Sequence, residues 1–362
     1  MAKGSERVVN TASKRKFHID LLKVIAIYLV LLNHTGNLGF SYFRQVTNPV
    51  GYWLSLFLTV FIKAAVPLFF MVSGALLLPK EETIADVIKK RFLKYLLVLV
   101  VFSLVSYLYT IRADIHQFDL GYFVKTLYSG EHTVAYWYLY YYLGYLVALP
   151  LLRRLAKAMS DQDYRYMLAA ILILNLLPFA EGLIWGSETS LNDNFIFFFS
   201  VSNAYYPLLG YYLEHRLLEK DFNRKNLLCL VIASCVAIGL TGIMTDYHCT
   251  NLADLTNGNW QLYLSSLICI PAITVYYIAR YLSLRCTVKP VIGKIFHIAG
   301  NCSFGIFLLE QVYRSVTKPV FSYLQPYIST LPACLIWIFG ACLLGCVVTV
   351  IMKKVPFLKK LV

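Results

Sequence analysis

Charge is scarce in this chain. Of its 362 residues only 14% are charged, and carboxylates are the rarer sign, with 19 Asp and Glu against 33 Lys and Arg. A water-soluble domain of this length needs far more polar surface, so that class is excluded. Segments of ~10 residues with alternating hydrophobicity are also missing, which excludes a transmembrane barrel. Cysteine is absent before Cys229; most of the nine fall in hydrophobic stretches, none forms a C-x-x-C pair, and Cys249 alone sits clearly in a polar loop. Neither a disulfide framework nor a zinc site fits that usage, and no metal is expected. The first hydrophobic segment follows Lys14, Arg15 and Lys16 but has no small-residue cleavage site, so it reads as a retained span. Neither a solenoid-type repeat nor an inverted repeat stands out.

What the chain does have is apolar length. Hydrophobic residues make up 59% and the mean hydropathy is +0.63. Runs of ~20 apolar residues, each able to cross a bilayer as a helix, recur from end to end. The expected fold is all-α, a polytopic transmembrane bundle of about ten helices. The spans are placed near 18–38, 50–78, 92–111, 133–152, 164–180, 194–213, 227–245, 260–283, 291–312 and 331–352.

The net charge of +14 would suit nucleic acid, but its placement argues against that partner. Alternate connections collect Lys14 to Lys16, Lys89 to Arg91, Arg153, Arg154, Lys157, Arg224, Lys225, Lys353 and Lys354, whereas the opposite loops hold only Arg44, Arg112, Lys125, Arg314 and Lys318. That asymmetry predicts both termini in the cytoplasm; the expected location is a cell membrane of bacterial inner or plasma-membrane type. The expected organisation is a basic tail over 1–16 facing anionic headgroups, a membrane domain over 17–354 and a cytoplasmic tail over 355–362, with no appended soluble domain. The outer loops near 181–193 and 246–258 lack Lys and Arg and can rim an entrance.

Ionisable groups inside spans are costly and point to function. Lys23 and His34 are eleven residues apart, which puts them on one helix face about 16 Å apart along the axis. Asp20 precedes Lys23 by three residues and can pair with it, and Asn33 stands beside His34. The competing view is an interfacial ion pair with a histidine reaching the outer headgroups. Lys63 lies roughly 22 Å above the far end of its span at Leu78, at the depth of His34. Pro67, Ser73 and Gly74 on the same segment fit a kink with close helix packing at least as well as a direct role. Glu310 reaches a similar level, so the three together suggest a polar cavity. Lys89, Lys90, Arg91 and Lys94 fit ordinary inside charge or a polyanion such as a nucleotide phosphate. The run Tyr136-Trp137-Tyr138-Leu139-Tyr140-Tyr141-Tyr142 fits an aromatic belt or stacking against sugar.

In order along nearly the whole chain, these segments resemble the acyltransferase-3 family of integral membrane O-acyltransferases. Asp20-Leu21-Leu22-Lys23, followed after ten residues by His34, resembles its basic-x10-His signature. Residues 63–75 (KAAVPLFFMVSGA) resemble its basic-x3-Pro-x-Phe-Phe-x-x-Ser-Gly segment, and Arg91-Phe92-Leu93-Lys94 its Arg-x-x-Arg element. Trp137-Tyr138-Leu139 and Ser303-Phe304-Gly305-Ile306-Phe307-Leu308 are similar to two later landmarks. The chain departs from the family in carrying lysine at 23, 63 and 94, where arginine is commoner, and Glu310 where many relatives have histidine.

The resemblance implies transfer of an acyl group, usually acetyl, from cytosolic acyl-CoA to a hydroxyl of a cell-surface or envelope glycan. Acetyl-CoA or another acyl-CoA is then a co-substrate, and no cofactor is held permanently. His34, with Asp20 and Lys23, is the implied catalytic group, as base or covalent carrier. Lys63, Arg91 and Lys94 would hold the donor; Asn33, Trp137, Tyr138 and Glu310 would meet the acceptor. Partners are the bilayer and both substrates, and a homo-oligomer is compatible. The rival class is a transporter or export module for a small polar substrate, lined by the same intramembrane groups. Topology is directly testable. A membrane-impermeant thiol probe is expected to label engineered cysteines within 181–193 and 246–258 from outside, and within 216–225 only from the cytoplasm. Labelling of all three from one side would overturn the span count.

Overall fold

An apolar segment in lipid can satisfy its backbone polar groups only within itself or in a closed barrel. The computed structural model describes residues 16–185, 202–251, 262 and 265–362, and every extended regular element among these is helical. In chain order they are α1 (Phe17–Asn33), α2 (Pro49–Ile62), α3 (Ala65–Leu77), α4 (Ile84–Val87), α5 (Leu93–Thr110), α6 (Leu120–Ser129), α7 (Trp137–Ala158) and α8 (Asp161–Trp185). There follow α9 (Ser202–Tyr211), α10 (Arg224–Asn251), α11 (Cys269–Arg285), α12 (Pro290–Leu308), α13 (Glu310–Ile328), α14 (Thr330–Met352) and α15 (Pro356–Leu361). The all-α class expected from the sequence is therefore present.

Five stretches among the described residues are long and apolar enough to cross a membrane: Pro49–Leu77, Ile84–Thr110, Arg224–Tyr247, Pro290–Leu308 and Thr330–Met352. The spans expected near 18–38, 133–152, 164–180 and 260–283 also correspond to helices, α1, α7, α8 and α11. The basic tail before Lys16, the first half of the span at 194–213 and most of the two outer loops lie outside the described residues. The C-terminal tail is not merely a tail: α15 packs against α5 and buries Leu361.

Pro67 explains why the expected span at 50–78 is two helices. It has no N–H to return to the carbonyl of Lys63, four residues back. The chain tightens there, with Lys63 N–H donating to Val60 O and Ala64 N–H to Phe61 O, before α3 starts afresh. Pro67 then occupies the first turn of α3, where a missing donor costs nothing. A second irregularity joins α4 to α5, where Ile88–Phe92 forms a π-helical turn carrying Arg91.

The α1 helix is the axis of the bundle, packing against α2, α3, α11, α12 and α14. Two cores surround it. One gathers Leu22, Leu68, Met71, Tyr145, Leu208 and Tyr276; the other gathers Leu31, Phe102, Tyr136, Ile306 and Ile338. Phe69, Phe92, Tyr95 and Tyr138 are half-buried and pack on both, so they mark the seam between them. Within the first core α3 crosses α9 with backbone against backbone. A Cβ on Gly74 would lie 2.0 Å from Pro207 O, and one on Gly210 would lie 1.9 Å from Met71 O. Small residues let membrane helices approach this closely, since lipid supplies no hydrophobic drive between them. Gly74→Ala is accordingly expected to destabilise the detergent-purified protein by about 1–3 kcal/mol or more. Gly239→Ala, whose Cβ meets nothing within 4 Å, is the control and leaves the unfolding temperature unchanged or slightly raised. Equal melting of the two variants would contradict the backbone contact.

Candidate active site

A cavity of about 660 Å³ opens along the seam, within the range of small-molecule sites. Lys23, Asn33, His34, Lys63, Arg91, Trp137 and Tyr138 all line it. It runs along α1 for at least the eleven residues from Lys23 to His34, about 16 Å. Its walls are aromatic: Tyr138 stands 5.2 Å from Phe70 and 5.5 Å from Phe307 between ring centroids, and Tyr95 stands 4.7 Å from Tyr142 and 5.3 Å from Phe304.

At one end, α1 finishes at Asn33 and His34 caps it, donating its own N–H to Leu31 O. Its Nδ1 lies 3.3 Å from Glu310 Oε1, in ion contact but not aligned as a hydrogen bond. Glu310 does not line the cavity. It stands behind the imidazole with 4% of its side chain exposed, which leaves Nε2 as the ring nitrogen for a ligand. Glu310 is placed by a corner: α12 ends at Leu308, whose carbonyl accepts from Tyr136 Oη at 2.6 Å, and α13 begins at Glu310 itself. Arg314, one turn on, grips the carboxylate through Nε and, at 3.0 Å, through Nη2. Its Nη1 donates to His34 O at 2.7 Å, and its own carbonyl accepts from Trp337 Nε1. Beside the imidazole, Asn33 Oδ1 is buried with no hydrogen-bond partner, an unmet acceptor at the cavity wall. Lys63, at the α2–α3 break, holds its ammonium 4.5 Å from the centre of the Phe40 ring.

The opposite end is built on carboxylate Glu82, in the connection between α3 and α4. Arg91 reaches it in fork geometry, Nε to Oε2 at 2.7 Å and Nη2 to Oε1 at 2.5 Å. Arg153 of α7 adds Nη2 to Oε2 at 2.8 Å and also donates from Nε to Leu77 O at 3.0 Å. The Arg91 hydrogen bonds, opposed by partial burial and reinforced by Arg153, hold the Glu82 carboxyl down at about 2. Arg91 thus reaches the cavity with its guanidinium already engaged.

Not every residue singled out in the sequence converges. Asp20 sits some fourteen residues, about 21 Å, from His34 along α1. Its Oδ2 meets His297 Nδ1 at 3.1 Å, and that ring in turn contacts Asn301. Lys94 does not line the cavity; its ammonium lies 6.0 Å from the Tyr95 ring centre. Conversely, Glu82, Arg153, His297 and Arg314 were not read as site residues. The Glu310-to-Arg314 spacing of four is a helical signal that could have exposed a partner; Glu82 and Arg91 are nine residues apart across a turn, and Arg153 and His297 are distant in sequence from the acids they meet.

A family model described as an acyltransferase domain matches residues 17–352. No curated protein and no solved structure matches the chain.

The Arg153 anchor is testable independently of any chemistry. Arg153→Ala removes the donor to Leu77 O and one of the three hydrogen bonds to the Glu82 carboxylate, and is expected to cost about 1–3 kcal/mol in thermal unfolding. Arg153→Lys recovers only part, because an ammonium cannot reproduce the fork. An unchanged melting temperature for the alanine variant would show that these bonds contribute nothing net.

Proposed function

We propose, from the premise that this chain belongs to the acyltransferase-3 family and is a membrane acyltransferase, that it moves an acetyl group from acyl-CoA to a hydroxyl of a cell-surface glycan. The observation that carries this reading is His34 on the cavity wall with the buried Glu310 behind Nδ1. A carboxylate 3.3 Å from Nδ1 places negative charge beside the imidazole on the side away from the cavity, where it can accompany the positive charge that forms when Nε2 takes a proton, as a general base does.

In this reading the thioester enters from the Arg91 end, its pantetheine arm extended along the aromatic walls. His34 Nε2 accepts the proton of the acceptor hydroxyl as its oxygen attacks the thioester carbonyl. The C–O bond forms, the C–S bond breaks, and the imidazolium returns the proton to the departing thiolate. Asn33 Oδ1 accepts a hydrogen bond from the acceptor. Trp137 and Tyr138 offer ring faces to a sugar, and Lys63 offers a cation near the developing oxyanion. Glu310 and Arg314 act through His34 and touch no substrate. The donor compartment is the cytosol, the side on which Arg91 and the basic connections gather.

His34→Gln keeps size and polarity without the basic nitrogen. It is expected to lower acetyl transfer by ~10²–10⁴-fold while leaving acetyl-CoA affinity within a few-fold. Glu310→Gln is expected to lower kcat with little change in KM for the donor, the mark of a positioning residue. Near-normal transfer by His34→Gln would sink the catalytic reading and favour a transport role for the cavity.

A further inference from the structure

A second concavity of about 480 Å³ lies beside the Arg91 end. Four cations line it, Lys80, Arg153, Arg154 and Lys157, against two carboxylates, Glu81 and Glu82. Charge spread for membrane orientation alone has no reason to converge on a hollow. Lys157 pairs with Glu81 at 3.1 Å in an exposed contact, worth little in water. Lys80 and Arg154 have no side-chain partner among the described residues. Arg153 is the fixed point, with 7% of its side chain exposed and its fork held by Leu77 O and Glu82. The cleft is therefore part rigid guanidinium and part uncommitted cation, a combination suited to phosphate esters.

Its relation to the larger cavity sets the ligand. Glu82 is shared: one carboxylate holds Arg153 on the cleft and Arg91 on the cavity wall. It occupies the two guanidinium groups that a phosphate passing from one compartment to the other would meet. We propose that this cleft is a second, phosphate-binding site that takes the nucleotide phosphates of the acyl donor, with Glu82 as the internal anion they displace. The assignment rests on the acyl-CoA reading above and adds to it where the nucleotide end is held.

Lipid headgroups offer the same phosphate chemistry, so the test separates the two sources. The full chain, purified in neutral detergent, is titrated calorimetrically with adenosine 3′,5′-bisphosphate and with acetyl-CoA. The triple variant Lys80→Gln, Arg154→Gln, Lys157→Gln spares Arg91, Arg153 and every residue of the reaction cavity. It is expected to bind both ligands about tenfold more weakly or worse, and to use S-acetylpantetheine, which lacks the nucleotide, as well as wild type. Arg154→Gln alone shows a smaller loss in the same direction and serves if the triple variant unfolds. Glu82→Gln is expected to bind the bisphosphate more tightly than wild type; weaker or equal binding removes it as the displaced anion.

Wild-type bisphosphate affinity in the triple variant, with loss of retained phosphatidylglycerol after reconstitution in phosphatidylglycerol–phosphatidylcholine vesicles, would give the cleft to lipid and overturn the nucleotide assignment. No change in either ligand would remove the phosphate site altogether. Failure of the wild type itself to bind acetyl-CoA would instead sink the parent reading, a separate outcome.

Discussion

A carboxylate buried among apolar helices must be compensated by partners, because an unpaired ion there costs several kcal/mol, a large share of a domain's net stability. Glu310, with 4% of its side chain exposed, imposes that constraint at one end of α1. Its compensation comes from Arg314 on its own helix and from His34 on another. Because Arg314 also holds His34 O and accepts from Trp337, satisfying one charge fixes the end of α1 against α13 and α14. The position of the imidazole follows from that requirement.

The other end of α1 obeys the same rule with a different acid. Glu214, 2% exposed, accepts from Lys16 at 2.6 Å, meets His18 Nε2 at 2.9 Å, accepts from Tyr276 Oη at 2.8 Å and lies 3.4 Å from Arg280. Those partners come from α1, the residue that precedes it and α11, while Glu214 lies in the helical turn that continues α9. The axial helix is thus clamped at both ends by buried carboxylates, and Gly74 and Gly210 lock α3 to α9 alongside it. Rigid ends suit a cavity between them, since a site held by fixed elements keeps its groups in register.

How legible this was in the sequence depends on the range of each interaction. Helical class, the Pro67 break and the close packing at Gly74 are local consequences of apolar length and residue type, and they were readable. His34 and Lys63, placed at one depth by helix rise, both line the cavity. The partners were not readable, because Glu82 with Arg153, Asp20 with His297 and Glu214 with His18 are separated by 71, 277 and 196 residues. No periodicity reports such a pairing. Asp20 meets His297 of α12 across the bundle, a partner that no local spacing along α1 reports. Glu310 was visible as a costly group but not as the support of another, since only the α12–α13 corner shows which way it faces.

The same reasoning separates the two kinds of cation in this chain. Arg153 and Arg314 each hold a backbone carbonyl and a carboxylate with a planar fork, a role an ammonium cannot fill. Lys63 and Lys94 instead hold an ammonium 4.5 Å and 6.0 Å from an aromatic ring centre, a role that asks for charge but not for a fork. Where the fold uses forked support, at both ends of the cavity, the cation is arginine. A bundle with few charges places them by the number of bonds each must make, and Lys80 and Arg154, on the smaller hollow, are the ones there whose donors stay uncommitted among the described residues.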